Sequence, residues 1–243
     1  MPRFVELWIY LSAQPLFGLT ATLVVYLLAQ ALSARVGGAP WANPVLWSVV
    51  VLASGLLATG VDYGSYFAGA QFIHFLLGPA VVALAWPLWQ RRTELRQRYG
   101  RILLAALLGG AAASSSALLL GWAVGLPHDV VLSLAPKSVT APVAMGISEK
   151  IGGIPALSAV FAVLTGMTGA LSAKYLFDRL RIGTDPAGYA ARGFALGTAS
   201  HGIGAARALQ VDAQAGAYAG LALGLQVVMA ALLMPLAFRL LGH

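Results

Sequence analysis

No cysteine occurs anywhere in the 243 residues. Disulfides, thiolate metal sites and cysteine nucleophiles are therefore excluded, while the compartment stays open. Charge is scarce as well: Asp, Glu, Lys and Arg make up 9% of the chain against 59% hydrophobic residues, and the mean hydropathy is +0.81. That balance excludes a pair of soluble domains and implies a polytopic membrane protein, a single transmembrane domain over residues 1–243. Acids are scarcer than bases, 8 against 15, for a net charge of +7. In a soluble chain this excess would suggest nucleic acid, but here the basic residues bunch in short segments between apolar runs, as the positive-inside rule describes. No nucleic-acid partner is expected, and the connection holding Arg91, Arg92, Arg96, Arg98 and Arg101, opposed only by Glu94, is expected to face the cytoplasm. Metal-ligand spacing, a nucleophile elbow, a phosphate loop and a dinucleotide fingerprint are all missing. No metal, no cofactor and no enzymatic activity are expected, since Ser200 and His201 would point apart on a helix. A signal peptide is also not expected: Arg3 alone forms the basic region, and the run from Leu7 is long enough to be retained as a span.

What is present is a series of apolar runs: about Leu7 to Ala31, with Pro15 and Gly18 inside it, Val45 to Val61, Phe67 to Trp89, Ile102 to Val124, Ala156 to Phe177 and Ala213 to Phe238. These predict an all-α protein of six or more transmembrane helices. Trp86 and Trp89 stand where an interfacial aromatic belt would place them, and His74 reads as a packing residue. The serines Ser114 to Ser116, near Gly109 and Gly110, read as a close-packing face, and Ala156 to Phe177 reads as a clean span.

Two stretches break this pattern, about 134–155 and 193–209. The first carries Pro136, Pro142, Pro155 and Gly152-Gly153 together with Lys137, Glu149 and Lys150. Irregular backbone at membrane depth is tolerated only where protein or a water-filled cavity surrounds it. Pro142 suits the first turn of a short helix, so Lys137 to Ala141 is expected to be extended and a half-helix to run from Pro142 to about Lys150. Its free N–H groups beside Ser138, Thr140 and Val143 would receive a carboxylate or phosphate, and Lys137 adds a full positive charge. The competing reading is a lysine that snorkels to the interface from a kinked packing helix. Glu149 opposes the helix dipole, and a charge at bilayer depth costs roughly 2.5–3.5 kcal/mol on insertion scales. It would therefore pair with Lys150 or Arg207, carry a coupling proton, or lie at the surface. In the second stretch Gly193, Gly197 and His201 would share one face of a continuous helix, with a break offered at Gly202 and Gly204. Thr198, Ser200 and His201 stand beside that break; His201 is, with Glu149, a candidate for proton coupling or gating, and Arg207 suits bidentate binding of a carboxylate. Read as re-entrant hairpins, which keep Arg179 and Arg181 inside, the two stretches enter from opposite sides, the pattern of inverted repeats around a midplane site; the alternative is two full crossings by discontinuous helices, which would put those arginines outside.

Several pieces resemble one family. They are Pro136-Lys137-Ser138-Val139-Thr140-Ala141-Pro142, Ile151-Gly152-Gly153-Ile154-Pro155, Gly197-Thr198-Ala199-Ser200-His201-Gly202 with Ala206-Arg207, and the weaker Tyr66-Phe67 and Gly78 to Ala85 segments. Together they resemble the LrgB/CidB family of bacterial inner-membrane proteins, whose plastid relatives carry glycolate and glycerate. The resemblance implies a multi-pass transporter-like fold and a small monocarboxylate substrate such as glycolate, glycerate, pyruvate or lactate. It equally implies an alternative, a holin- or antiholin-like modulator of murein hydrolase export and autolysis working with a smaller LrgA-type membrane protein. A homo-oligomer, specifically a dimer, is expected from transporter architecture. Ala141 and Ala205 stand where the family usually has threonine, which removes a hydroxyl at each.

Overall fold

The computed structural model describes residues 16–37, 39–83, 89 and 92–240. The expected start of the first span at Leu7, its Pro15, and Trp86 and Arg91 lie outside them, as do the side chains of His74 and Glu94. The chain forms two compact units, 1–83 and 84–243. The described residues are helical and contain no strand.

In the first unit α1 is Leu16–Arg35, α2 is Pro44–Thr59 and α3 is Tyr63–Ala83, with a 3-10 turn at Pro40–Ala42. Asn43 starts α2: its Oδ1 accepts from the N–H of Val45 at 2.9 Å and of Leu46 at 3.2 Å, and Pro44 fills the first turn, where a missing N–H is harmless. Gly60, at φ 67°, ends it. Gly18 lets α1 and α3 touch, because a Cβ there would run into the Tyr66 carbonyl oxygen. One turn on, Thr22 Oγ1 and the Tyr66 hydroxyl lie 2.6 Å apart.

The second unit comprises α4 Arg92–Gln97, α5 Tyr99–Ala123, α6 His128–Leu134, α7 Ala141–Ile151, α8 Pro155–Arg179, α9 Pro186–Val211 and α10 Ala213–Leu240. Among the described residues, α1, α5, α8 and α10 are long and apolar enough to cross a membrane, and α2 is a shorter apolar helix. These account for four of the six or more spans expected.

Both breaker-rich stretches double back. Ser133, at the end of α6, bonds to the start of α8: its Oγ accepts from Ile154 N at 2.7 Å, and its carbonyl accepts from Ser158 Oγ at 2.8 Å. As a rod, the 21 residues from Ser133 to Ile154 would span about 30 Å. The segment is therefore a hairpin of α6 and α7, closed at its base by Ser133. Its tip, 135–139, is turn and not the extended strand expected from Lys137 to Ala141. Lys137 N reaches Leu134 O at 3.2 Å and Val139 N reaches Pro136 O at 3.2 Å. An extended chain would leave those peptide groups unpaired away from water, so tight turns win, and only Thr140 (φ −62°, ψ 146°) is extended.

Within α9, Ser200 (φ −127°, ψ 17°) and His201 (φ 41°, ψ −135°) leave helical geometry. The interruption thus falls before the glycines that were expected to supply it. The consequence is a second reversal: Gln214 Nε2 donates to Pro186 O at 2.6 Å, whereas 28 residues of straight helix would part them by about 42 Å. At the turn, a Cβ on Gly204 would lie 2.7 Å from Leu196 O, a residue two helical turns earlier. Gly193 and Gly197 do share one face and use it against α10, where added Cβ atoms would run into the carbonyl oxygens of Ala215 and Ala219. His201 does not share that face, because the reversal at Ser200 turns it toward α8.

Candidate functional site

The tips of both hairpins line one cavity of about 480 Å³ against α8. The first hairpin contributes Leu134 and Lys137, and the second contributes Ala199 and Ser200. From α8 come Thr165, Thr168 and Ser172, with Phe161, Leu164 and Leu176 as apolar wall. Lys137 Nζ donates to Ser138 Oγ at 3.3 Å, and Ser138 is buried. An ammonium so placed has two further N–H groups to offer an anion. Ser200 is 1% exposed and seats against Gly169, where a Cβ would overlap its Oγ. Thr168 Oγ1 donates to Leu164 O and Ser172 Oγ to Thr168 O, each at 2.7 Å. Hydroxyl protons rotate, so these groups can turn toward a ligand oxygen.

His201 is a strap at the second tip. Its Nε2 lies 2.7 Å from Ala162 O, and the ring sits where a Cβ on Gly166 would come within 2.9 Å of it. The small residues of α8 thus admit the tip.

The remaining expected site residues are placed elsewhere. Thr140 is half-buried and makes no cap bond to α7. Val143 packs on the core around Leu132, Ala144 and Ile147. Thr198 faces α5, where a Cβ on Gly109 would lie 3.0 Å from its Cγ2, and its buried Oγ1 has no partner among the described atoms. Glu149 is exposed, and among the described residues it pairs with neither Lys150 nor Arg207, in keeping with the surface reading. Arg207 lines a different cavity, of about 300 Å³, with Lys174, Asp178 and Arg192. The structure therefore unites Lys137 with Ser200 and leaves Arg207 and Glu149 outside that cavity. Sequence reasoning missed Thr165, Thr168 and Ser172, although their i, i+3, i+7 spacing inside an apolar run was a readable polar face. Ala141 and Ala205, the two departures from the resembling motifs, pack in the cores and do not line the tip cavity.

The LrgB-like family model matches residues 22–240 of the chain, a range that contains both hairpins. The chain belongs to the LrgB family. Its similarity to the holin-like protein CidB of Staphylococcus aureus is 30% identity over 222 residues, 91% of this chain and 95% of that one. The uncharacterised YxaC of Bacillus subtilis is 35% identical over 171 residues, 70% of this chain and 73% of its own length. An uncharacterised Haemophilus influenzae protein is 31% identical over 198 residues, 82% and 84% of the two chains. No solved structure matches. With its apolar helices, this LrgB-family chain is a membrane protein.

Proposed function

We propose that this LrgB-family chain transports small monocarboxylates of glycolate, lactate or pyruvate size across the bacterial inner membrane. One observation carries the reading: two helical hairpins place their tips in a single cavity that holds a lysine and four hydroxyl side chains. In this reading the hairpins are re-entrant and enter from opposite faces. The arm of α7, with 11 residues, would reach about 16 Å, half of a bilayer core. Lys137 supplies the charge for the carboxylate, while Ser200, Thr165, Thr168 and Ser172 supply hydrogen bonds. His201 holds the second tip to α8 and is the residue through which a proton would couple. Labelled glycolate, lactate and pyruvate should enter proteoliposomes saturably, and Lys137→Ala should abolish entry; an inward proton gradient tests coupling. Unchanged uptake in Lys137→Ala would discard the site.

A second reading has its own support. The relatives named holin-like speak for a protein that forms or restrains membrane lesions, with an LrgA-type partner or in a homo-oligomer, and those names favour it over carboxylate transport. It expects dye release that depends on assembly and does not saturate with any acid. The same proteoliposomes loaded with dye distinguish the two.

A further inference from the structure

The start of α5 brings two arginines to one recess. Arg98 caps the helix and Arg101 follows three residues on, so both stand on one side of the first turn. They share a surface depression of about 380 Å³ with Ile102 and Ala105 of α5 and with Ala187, Ala191 and Phe194 of α9. Both arginines are exposed, and the ion pair found among the described residues, Arg192 with Asp178, involves neither. Among the described residues no acid lines the depression. Asp185, two residues before Ala187, serves α9 as its cap, accepting from Gly188 N at 3.3 Å. Two guanidinium groups thus stand at the rim of an apolar recess with no acid in its described lining to neutralise them.

Charge and apolar lining follow each other in the order in which a membrane presents headgroup and hydrocarbon. Arg98 and Arg101 open α5, a helix long and apolar enough to cross, at the end that the positive-inside rule makes cytoplasmic. Ile102 and Ala105 continue that wall, and Ala187, Ala191 and Phe194 run along α9 opposite them. A soluble anion would use the arginines alone. An anionic phospholipid uses both parts, with its phosphate at the guanidinium groups and an acyl chain along the apolar residues.

We infer that the recess between α5 and α9 is a lipid site, in which Arg98 and Arg101 hold the phosphate of an anionic phospholipid of the cytoplasmic leaflet and an acyl chain lies against Ile102, Ala105, Ala191 and Phe194. Because α9 opens the second hairpin, the bound lipid joins α5 to the base of that hairpin. The site does not line the tip cavity and does not rest on the transport reading.

The test is equilibrium binding of fluorescent phosphatidylglycerol to the whole chain in a neutral detergent, followed by anisotropy, with phosphatidylcholine carrying the same dye as the zwitterionic reference. Phosphatidylglycerol should bind saturably and about tenfold more tightly than phosphatidylcholine. Arg98→Gln with Arg101→Gln should erase that preference. Arg96→Gln with Arg179→Gln removes the same charge from exposed positions outside the recess and should keep it. Ala191→Trp leaves every charge in place but fills the apolar wall, and should weaken phosphatidylglycerol severalfold. Equal affinity for the two lipids, or a preference that survives Arg98→Gln with Arg101→Gln, would overturn the inference. So would equal loss in the control pair, which would reduce the effect to net charge. Displacement of phosphatidylglycerol by inorganic phosphate, with Ala191→Trp unaffected, would make the recess a soluble-anion site and refute the lipid assignment.

Discussion

At the scale of single residues, glycine decides how closely this unit packs. Gly193 and Gly197 face the backbone of α10, and backbone cannot move aside as a flexible side chain can. Gly197→Ala should therefore cost about 1–3 kcal/mol and lower the unfolding midpoint in detergent. Gly224 in α10 is a matched control, because nothing lies within 4 Å of a Cβ there. Gly224→Ala should be neutral or stabilising by up to about 1 kcal/mol, through helix propensity alone. Equal loss in both variants would show that the close approach of α9 and α10 has been misplaced. Gly169 acts by the same logic at the site, since its missing side chain leaves the room that Ser200 occupies.

At the scale of elements, each hairpin is held by polar clasps at its base. Ser133 is the clearest: its hydroxyl donates to Asp129 O at 2.6 Å and accepts from Ile154 N, and its carbonyl takes the Ser158 hydroxyl. Ser133→Ala leaves the Ile154 N–H without its acceptor, which costs about 1–3 kcal/mol when the group is shielded from water. Faster amide exchange across 141–154, with 213–240 unchanged, is the expected signature, and uniform exchange would deny the clasp. Much of this architecture was legible in the sequence. Prolines, paired glycines and stray charges between apolar runs marked the first hairpin, and scattered glycines around His201 marked the second. The finer geometry was not legible, for physical reasons. Pro142 biases Ala141, but it could not reveal that the buried peptide groups before it would close into turns. Gly202 and Gly204 looked like the break, yet the reversal falls on Ser200 and His201, where the bond from His201 to Ala162 O holds a positive φ that helix propensity alone would not select. Thr165, Thr168 and Ser172 were hidden because an apolar run is read first for its length, and their role emerges only once two distant tips converge on that face.

At the scale of the whole second unit, the hairpins fix the parity of the chain. If each returns to the face it left, α5, α8 and α10 alternate in direction and every connection rich in arginine falls on one side. Continuous crossings would instead separate the two ends of each stretch by the full bilayer. Single cysteines in this cysteine-free chain decide between them. Asp129 and Lys150 are exposed near the base of the first hairpin, and Thr184 and Gln210 are exposed at the two ends of the second. In right-side-out vesicles an impermeant maleimide should label Asp129→Cys and Lys150→Cys from outside. Thr184→Cys and Gln210→Cys should react only after the membrane is opened. Labelling of Asp129→Cys and Lys150→Cys from opposite faces would make the first stretch a crossing, reverse the direction of α8 and put Arg179 and Arg181 outside. That outcome would contradict both the Ser133 clasp and the positive-inside rule, so a single pair of labelling reactions tests the hairpin geometry and the orientation together.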